Sequence, residues 1–409
     1  MHIAVLGAGI TGSTTAFALA EKGFDVTVID RNRYSGMDTS FANGGQLSAC
    51  NAETWHHPST LIKGIKWLFD PQAPLSINLK PSWHKYSWLG EFLWSMRKYR
   101  ENTIKTVRLA IEARDKLTHM ATSGGFQFDR VDRGMMHVCR TRSGFDHGLK
   151  VNELLKQGGL HRRTLGNDEI KQIEPALSGD FVGGFYSESD FTGDIHQYCR
   201  GLEIANQNLG VRYLFDTNIK SLKPGPTIEI NTTDGRVLVF DGIVVCAGIG
   251  SREIAAQLGD RVNVYPVKGY SITVNLDDKA AEEAAPWVSL NDDDAKIVTS
   301  RLGANRFRVA GTAEFNGFNK DIRADRVDPL IAWTRRLFPR INTDKVVPWA
   351  GLRPMMPDMM PRVTTGKHGN VFYNTGHGHL GWTMSAVTAY MVAEIVDKAG
   401  ENITPALAG

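Results

Sequence analysis

The stretch HIAVLGAGITGSTTAFALAEKGFDVTVIDR, residues 2–31, carries the strongest fold signal in the chain. Its apolar beginning, His2–Leu6, is typical of a buried parallel strand, and residues 11–22 follow a helical pattern. A second apolar strand, Val26–Ile29, ends at Asp30. The sequence therefore predicts a strand–helix–strand unit whose first turn is rich in glycine.

That first turn, from Gly7 to Gly12, has the pattern G-x-G-x-x-G. Gly7 permits a tight turn, Gly9 lets a pyrophosphate approach the backbone, and Gly12 allows the helix to pack closely on the strand. The helix N-terminus offers free N–H groups to phosphates, and Asp30 is placed to accept hydrogen bonds from ribose hydroxyls. The pattern predicts a site for an adenosine diphosphate group, which leaves NAD and FAD both open.

Size and composition narrow the class of protein. The chain has 409 residues, 42% of them hydrophobic, which is enough for two or three domains. A formal net charge of +3 gives no single-sign field, so nucleic acid is not an expected partner. The four cysteines have no C-x-x-C spacing, and we expect neither a metal site nor disulfides. Without a secretory signal or an apolar run of ~20 residues, the sequence predicts a cytoplasmic protein.

Two further segments are suited to contact the same ligand. Residues 31–50 are rich in Gly, Ser and Asn and follow Asp30 directly, so they are suited to run beside an extended cofactor. The candidate contacts in this segment are Arg31, Ser40, Asn43, Gly44 and Gly45. The turn Ala247–Gly248, after a buried strand, offers a second close approach of the backbone. The alternatives are an ordinary surface loop and a glycine turn that serves packing alone.

A second strand–glycine loop–helix unit lies near the C-terminus. The strand pattern 371–373 precedes NTGHGHLGWT, residues 374–383, and an apolar helix follows over 385–396. The N-terminus of that helix is suited to face the anionic N1–C2=O edge of a reduced flavin. A nicotinamide has no such edge, so this unit favours FAD over NAD.

The segment 54–100 combines aromatic and basic side chains. It contains five of the nine tryptophans of the chain, together with lysines, arginines and prolines. This mixture suits a peripheral contact with a membrane surface. The alternative is an aromatic insertion that packs on the domain body or on a partner subunit.

Together these motifs resemble the FAD-dependent D-amino-acid oxidase superfamily, most closely its bacterial D-amino-acid dehydrogenase small-subunit type. The segments that carry the resemblance are VLGAGITG, TSFANGGQLS, TGDIHQY, YPVKGYSIT, AEFNGFN, GLRPMMPD and NTGHGHLGWTM. The resemblance implies an α/β (α+β) fold in which a Rossmann-like FAD-binding domain is interleaved with a mixed-sheet substrate domain. The implied FAD-binding domain comprises residues 1–50, 190–262 and 345–409, and the substrate domain 51–189 and 263–344.

The resemblance also implies roles for individual residues. Those expected to contact FAD are Gly7, Gly9, Gly12 and Asp30 at the ADP group, Asn43, Gly44, Gly45 and Gln46 beside the isoalloxazine, and Gly376, His377, Gly378, Gly381, Trp382 and Thr383 in the loop closing on the flavin. Arg353 occupies the position that holds the substrate carboxylate in related oxidases. Tyr270 and His196 are expected to line the pocket, and Tyr270 is also a candidate catalytic residue. His377 and His379 are candidates for acid–base roles, although backbone positioning or flavin contact is favoured for both.

The implied reaction is oxidation of the C–N bond of a small or cyclic D-amino acid, such as D-alanine, D-proline or hydroxy-D-proline. Electrons would pass from FAD to quinone or another acceptor, and an oligomer or partner subunit is compatible with the sequence. The chain departs from the family at Thr364 and in the stretch 293–296, near the expected substrate pocket. An L-amino acid, sarcosine, glycine or opine substrate therefore stays an alternative, as do an NAD-linked dehydrogenase and a non-catalytic flavin-containing subunit.

Overall fold

Two large β-sheets organise the residues that the computed structural model describes, 1–57 and 73–407. Trp67 and the rest of residues 58–72, which belong to the predicted aromatic segment, lie outside the described residues. The α-helices are Ile10–Glu21, Trp83–Ser95, Tyr99–Gly124, Arg142–Gln157, Asn167–Ile173, Ile195–Asn208, Ser251–Gln257, Lys279–Ala284, Ala324–Leu337 and Gly381–Leu407. Among the described residues, no helix is long and apolar enough to cross a membrane.

The first sheet has six strands. In spatial order they are Arg362–Thr365, Val371–Thr375, Gly242–Val245, His2–Leu6, Asp25–Ile29 and Arg212–Leu214. All neighbours pair in parallel except the first two, which are antiparallel. Because the central strands are buried on both faces, they are almost entirely apolar, as the sequence pattern predicts.

This arrangement brings three turns to one edge of the sheet. Parallel strands end at the same side, so the turns after Leu6, Val245 and Thr375 become neighbours. The helix Ile10–Glu21 packs against the helix Gly381–Leu407 behind them. In open α/β sheets, ligands bind outside the carboxyl ends of such strands.

The second sheet is mixed and has nine strands. In spatial order they are Val346–Met355, Tyr265–Asn275, Arg306–Phe315, Ile297–Leu302, Ser289–Asp292, Met135–Cys139, Gly183–Ser187 and Arg163–Leu165, and Leu75–Ile77 pairs with the third of these. A separate hydrophobic core fills one face of this sheet and includes Phe307 and Trp333. Smaller sheets are formed by Ile219–Lys223, Ile228–Thr232 and Val237–Phe240, and by Gln46–Leu47 with Phe191–Thr192.

The strands follow the proposed domain division with one change of boundary, whereas the helix Tyr99–Gly124, within the proposed substrate range, packs in the core of the first sheet. The strand Val346–Met355 pairs with Tyr265–Asn275 along its whole length, so it lies in the nine-stranded sheet. The resemblance to the oxidase superfamily instead places it in the FAD-binding range 345–409. Because a strand shares the core of its own sheet, we move the proposed boundary to about residue 356. The division itself stays a proposal.

Candidate active site

A cavity of about 590 Å³ extends from the glycine turns of the first sheet to the surface of the second. Gly7, Gly9 and Asp30 line one end, and Arg353 and His379 line the other. The turns at 247–250 and 375–378 border the same space. The predicted sites in distant parts of the sequence therefore meet in one continuous cavity.

The first turn can be built only with glycine at two positions. Gly7 has φ of 111°, a left-handed conformation that favours glycine. A Cβ atom at Gly12 would lie 1.8 Å from the carbonyl oxygen of Gly7. Gly9 precedes the helix Ile10–Glu21 and has no side chain to cap that end, although Ser40 Oγ accepts a hydrogen bond from the N–H of Ile10. The other N–H groups of the first helical turn are available to an anionic ligand, as a pyrophosphate site requires.

Asp30 connects this turn to the next loop. Its Oδ2 accepts a hydrogen bond from the Ala8 backbone N–H at 2.6 Å, and its Oδ1 accepts one from the Asn32 N–H at 2.7 Å. Burial raises the pKa of Asp30 above its usual value, although these hydrogen bonds act in the opposite direction. Arg31 lies beside it at the cavity edge, where its guanidinium pairs with Asp38 at 2.7 Å.

The loop at 40–46 crosses from the first sheet to the second. Ser40 Oγ accepts a hydrogen bond from the backbone N–H of Ile10 at 3.1 Å, at the start of the helix. Asn43 Oδ1 accepts from the Gly45 N–H at 2.9 Å, and Gln46 Nε2 donates to Ser289 Oγ at 2.9 Å. These bonds hold the predicted cofactor loop against the nine-stranded sheet and along the cavity wall.

The C-terminal loop turns sharply at two glycines. Gly376 and Gly378 have φ of 78° and 60°. Between them, the Nε2 atom of His377 lies 2.8 Å from Thr388 Oγ1 in the following helix. Burial lowers the pKa of His377 to about 3, so the imidazole is neutral near pH 7. This fits a positioning role better than an acid–base role.

The last residues of this loop serve two purposes. The indole of Trp382 is 2% exposed and packs near Phe128 and Tyr198 in the core behind the first sheet. Thr383 Oγ1 accepts a hydrogen bond from the Ser48 N–H at 3.3 Å. Gly381 begins the long C-terminal helix. The loop is thus fixed to the body of the protein on both sides of the cavity.

Arg353 presents a cation to the cavity without an anionic partner among the described residues. Its Nη1 donates to the carbonyl of Thr312 at 2.8 Å. Burial alone lowers its pKa, to about 10, which leaves the guanidinium charged at neutral pH. The group lies directly over Gly269, where a Cβ atom would be 2.3 Å from the guanidinium carbon. A partly buried guanidinium without a counter-charge is costly, and a bidentate carboxylate is the ligand that best compensates it.

The comparison with known protein families agrees with this geometry. A family model described as FAD dependent oxidoreductase matches residues 2–395. The chain belongs to this family. It therefore uses FAD, and its α/β fold, with a Rossmann-like sheet and a mixed sheet, is confirmed.

Two relatives of this FAD-dependent oxidoreductase are similar over almost their full length. A protein named D-amino acid dehydrogenase 3 from Mesorhizobium japonicum is 60% identical over 397 residues, 96% of each chain. A D-amino acid dehydrogenase from Paramagnetospirillum magneticum is 39% identical. That alignment covers 97% of this chain and 95% of the relative. The crystal structure of glycine oxidase from Geobacillus kaustophilus superposes with a TM-score of 0.77 at 18% identity. The superposition covers 97% of this chain and 94% of the glycine oxidase chain. At that identity the likeness concerns the fold.

The cavity of this FAD-dependent oxidoreductase fits the cofactor. The glycine turns allow close approach of a ligand to the backbone, and Gly9 presents no side chain at the N-terminus of the first helix. Buried polar atoms without a partner among the described residues include Nδ1 of His377. The assignments of individual cofactor contacts remain predictions that this fit supports.

Tyr270, predicted as a catalytic residue, lines the cavity but directs its hydroxyl elsewhere. The hydroxyl donates to Glu314 Oε2 at 2.7 Å, and the same carboxylate lies 3.3 Å from Lys268 Nζ. Burial raises the pKa of Tyr270, and its bond to the carboxylate raises it further. The phenol is therefore a proton donor to a buried ion pair, and its catalytic role stays a prediction.

His196 does not lie where we expected it. Its ring packs between Tyr34 and Phe41, with centroid separations of 5.7 and 4.8 Å. The neighbouring Ile195 lines the cavity instead. Successive residues of a helix point to different faces, and His196 is on the face turned away.

Several residues at the substrate end were not identified from the sequence. Trp55 stacks on His379, with ring centroids 4.6 Å apart. Burial and, to a smaller extent, the charge of Arg353 lower the pKa of His379 to about 3. Glu53 and Asp293 also line this end. No local motif marks these two acids, because they meet only through the fold.

Proposed function

We propose that this enzyme catalyses the oxidative deamination of a small or cyclic D-amino acid. The observation that carries the proposal is the unpaired guanidinium of Arg353, which faces the same cavity as the three glycine turns. The D-configuration is suggested by the names of two relatives, the nearer of which shares 60% of its residues over 96% of the chain. Electrons would pass to quinone or another acceptor.

The residues at the substrate end would act mainly by orientation. Arg353 would hold the substrate carboxylate through paired hydrogen bonds and so fix the position of Cα. Bound FAD would accept two electrons and the hydrogen from Cα. The stacked rings of Trp55 and His379 would cover one side of the substrate and exclude water. Because His377 and His379 are both neutral at pH 7, neither is suited to supply a proton there.

The product would be an imine, which water hydrolyses to a 2-oxo acid and ammonia. A cyclic substrate such as proline would give a cyclic imine first. The amino group must lose its ammonium proton to solvent before the hydrogen leaves Cα, because neither His377 nor His379, with their lowered pKa values, is an evident base. This fits a mechanism that depends on alignment of the substrate rather than on a protein base.

The direct test is to mix the purified holoenzyme, without oxygen, with the D- and L-forms of alanine, proline and hydroxyproline. Loss of the flavin absorption band with D-forms only is the expected result. Loss with L-forms only would contradict the stereochemistry, and no reduction by any amino acid would contradict the reaction. Reoxidation by a soluble quinone faster than by air would support a dehydrogenase.

We further propose that the helix Trp83–Ser95 contacts the inner face of the cytoplasmic membrane, where quinone is available. Trp83 and Trp94 are 82% and 66% exposed, and Arg97 stacks over Trp94 at 3.6 Å. Trp88 is different, since it is buried and its indole N–H donates to the Met355 carbonyl at 2.8 Å. Exposed tryptophans beside cations suit the headgroup region of a bilayer.

Co-sedimentation with vesicles that contain anionic lipid tests this contact. The double variant Trp83→Ser/Trp94→Ser should bind vesicles more weakly than the unchanged chain. Trp287→Ser, at a partly exposed tryptophan on another part of the surface, is the matched control. Equal binding of all three proteins would contradict the proposal.

A further inference from the structure

The cavity is lined by two carboxylates, each of which has only one oxygen in contact with a polar group of the described residues. Glu53 and Asp293 both line it. Glu53 Oε1 accepts a hydrogen bond from the Tyr99 hydroxyl at 2.6 Å and lies 3.3 Å from His147 Nε2. Asp293 Oδ2 lies 3.0 Å from His137 Nδ1. Among the described residues, no hydrogen bond is made to the other oxygen of either carboxylate, Glu53 Oε2 or Asp293 Oδ1, although the charges of Lys296 and Arg162 in the same cavity act on both groups.

Both carboxylates are ionised at neutral pH. Burial opposes ionisation of Glu53, but the hydrogen bond to His147 and the nearby charge of Lys296 hold its pKa below the usual value. Burial likewise opposes ionisation of Asp293, and its pKa is nevertheless lowered, mainly by His137. An ionised carboxylate can only accept hydrogen bonds. The two unused oxygens are therefore complementary to donors.

Both carboxylates line the cavity that Arg353 and His379 also line. Glu53 is two residues before Trp55, which stacks on His379. The charges of Arg353 and Glu53 both influence the pKa of His379, in opposite directions. An amino acid whose carboxylate is held by Arg353 has its side chain within the same compartment.

We propose that Glu53, assisted by Asp293, selects amino acids whose side chain ends in a hydrogen-bond donor, either a hydroxyl or an ammonium group. The inference rests on the proposed function, because it needs the substrate carboxylate on Arg353. A donor satisfies an acceptor that is shielded from water once the cavity is filled. An apolar side chain of the same shape leaves the carboxylate without a partner, and a site built for polar groups rejects such an isostere.

Two isosteric pairs of substrates test the inference on the holoenzyme. D-serine and D-2-aminobutyrate differ by a hydroxyl in place of a methyl group, and D-ornithine and D-norleucine differ by an ammonium in place of a methyl. The ratio of kcat/KM within each pair is measured with an artificial electron acceptor. We expect the donor-bearing member to be favoured by about tenfold in at least one pair, as for a hydrogen bond to a charged group. The favoured pair identifies whether hydroxyl or ammonium is the natural donor.

Two variants assign the preference to these carboxylates. Glu53→Gln and Asp293→Asn keep the side-chain shapes and remove the charges, and at least Glu53→Gln should lower the ratio several-fold, since charge-assisted hydrogen bonds are about twice as strong as neutral ones. The exposed Glu188, which does not line the cavity, provides the control Glu188→Gln, with an unchanged ratio. A structural defect would lower both members of a pair alike and leave their ratio unchanged.

The outcomes separate this inference from the proposed function. If no D-amino acid reduces the flavin, the proposed function fails. If D-amino acids reduce the flavin but neither pair shows a preference for the donor, the inference is overturned while the function stands. A preference that persists in Glu53→Gln and Asp293→Asn would also overturn it.

Discussion

At the scale of single residues, Arg353 is the position on which the proposed chemistry depends most. Lysine there would keep the positive charge but lose the planar pair of donors that matches a carboxylate. We expect Arg353→Lys to lower kcat/KM for the substrate by about 100-fold, which corresponds to about 2.7 kcal/mol of lost transition-state binding. Steady-state kinetics with saturating acceptor measures the change.

The control for that variant is Arg335→Lys, at an exposed arginine whose Nη2 lies 3.2 Å from Asp344. It should leave kcat/KM within about twofold, because exposed ion pairs contribute little. Both variants should keep their flavin absorption. If the Arg353→Lys enzyme is as active as the control, Arg353 does not bind the substrate carboxylate.

Gly269 gives a second prediction, because the guanidinium of Arg353 lies against its backbone. A Cβ atom there would be 2.3 Å from the guanidinium carbon, so Gly269→Ala must displace the arginine. We expect substrate affinity to fall by at least about tenfold although the arginine itself is unchanged, since small displacements of a positioning group are costly. Titration of the reduced-flavin signal against substrate concentration measures this.

Gly90→Ala is the matched control for Gly269→Ala. Nothing lies within 4 Å of a Cβ atom built at Gly90, which is in the helix Trp83–Ser95. Alanine there should stabilise the protein slightly and leave substrate affinity unchanged. If both variants bind substrate with the affinity of the unchanged enzyme, the contact between Gly269 and Arg353 does not contribute to substrate binding.

At the scale of secondary-structure elements, the glycine turn after the first strand can be tested on its own. Gly12→Ala places a Cβ atom 1.8 Å from the Gly7 carbonyl oxygen, so helix and strand must separate. We expect the variant to be purified with less than about a tenth of the normal FAD, because the pyrophosphate site depends on that close packing. The ratio of flavin to protein absorbance measures the loss.

The control for the turn is Gly369→Ala, in the connection between the strands Arg362–Thr365 and Val371–Thr375. Nothing lies within 4 Å of a Cβ atom at this position. Its FAD content should equal that of the unchanged chain. A Gly12→Ala protein that retains full FAD would show that the turn tolerates a side chain and that the packing argument is wrong.

The elements that the sequence predicted well are those with a strong local pattern. The strand His2–Leu6, the helix predicted over 11–22 and the strand predicted over 26–29 lie within one residue of their observed bounds. Apolar runs and helical periodicity are properties of neighbouring residues, so no knowledge of the fold is needed.

The elements that were missed carry prolines in unusual places. The strand Val346–Met355 contains Pro348 and Pro354, which argue against a central strand. It lies at the edge of the nine-stranded sheet, where a missing N–H is tolerated. The helix Ala324–Leu337 contains Pro329 as its sixth residue, beyond the first turn, where proline removes an intrahelical hydrogen bond and argues against a helix in the sequence.

The residues of the candidate site fall into the same two groups, those that a local motif predicts and those that were missed. The glycine turns and Arg353 could be identified because each belongs to a recognisable motif. Glu53 and Asp293 could not be assigned a role, because no local motif marks them. Asp293 reaches His137 only through the pairing of Ser289–Asp292 with Met135–Cys139, which are far apart in the chain. For His196 the motif was recognised, but the helix face on which its side chain lies was predicted incorrectly, and the ring packs on Phe41 instead.

At the scale of the whole molecule, the buried histidines make stability depend on pH. Burial lowers the pKa of His377 and of His379 to about 3, and that of His56 to about 4. In an unfolded chain each would titrate near 6.5. The folded state therefore holds fewer protons than the unfolded state between these values. The contribution of these neutral histidines to the free energy of unfolding is fully present above about pH 6.5, and it is lost as the pH falls toward 3.

We expect the unfolding temperature of the holoenzyme to decrease from pH 7 to pH 4.5, and a variant without one of these histidines to decrease less. His377→Gln keeps a hydrogen-bonding side chain opposite Thr388 and removes one titrating group, so its stability should fall by about 1 kcal/mol less for each pH unit below 6. His161→Gln, at an exposed histidine, provides the control, with a pH dependence equal to that of the unchanged chain. The curves are recorded by thermal unfolding at matched FAD excess, because cofactor binding also stabilises the folded state. Parallel curves for all three proteins would mean that His377 is not held neutral by the fold, and would remove the main argument for its positioning role.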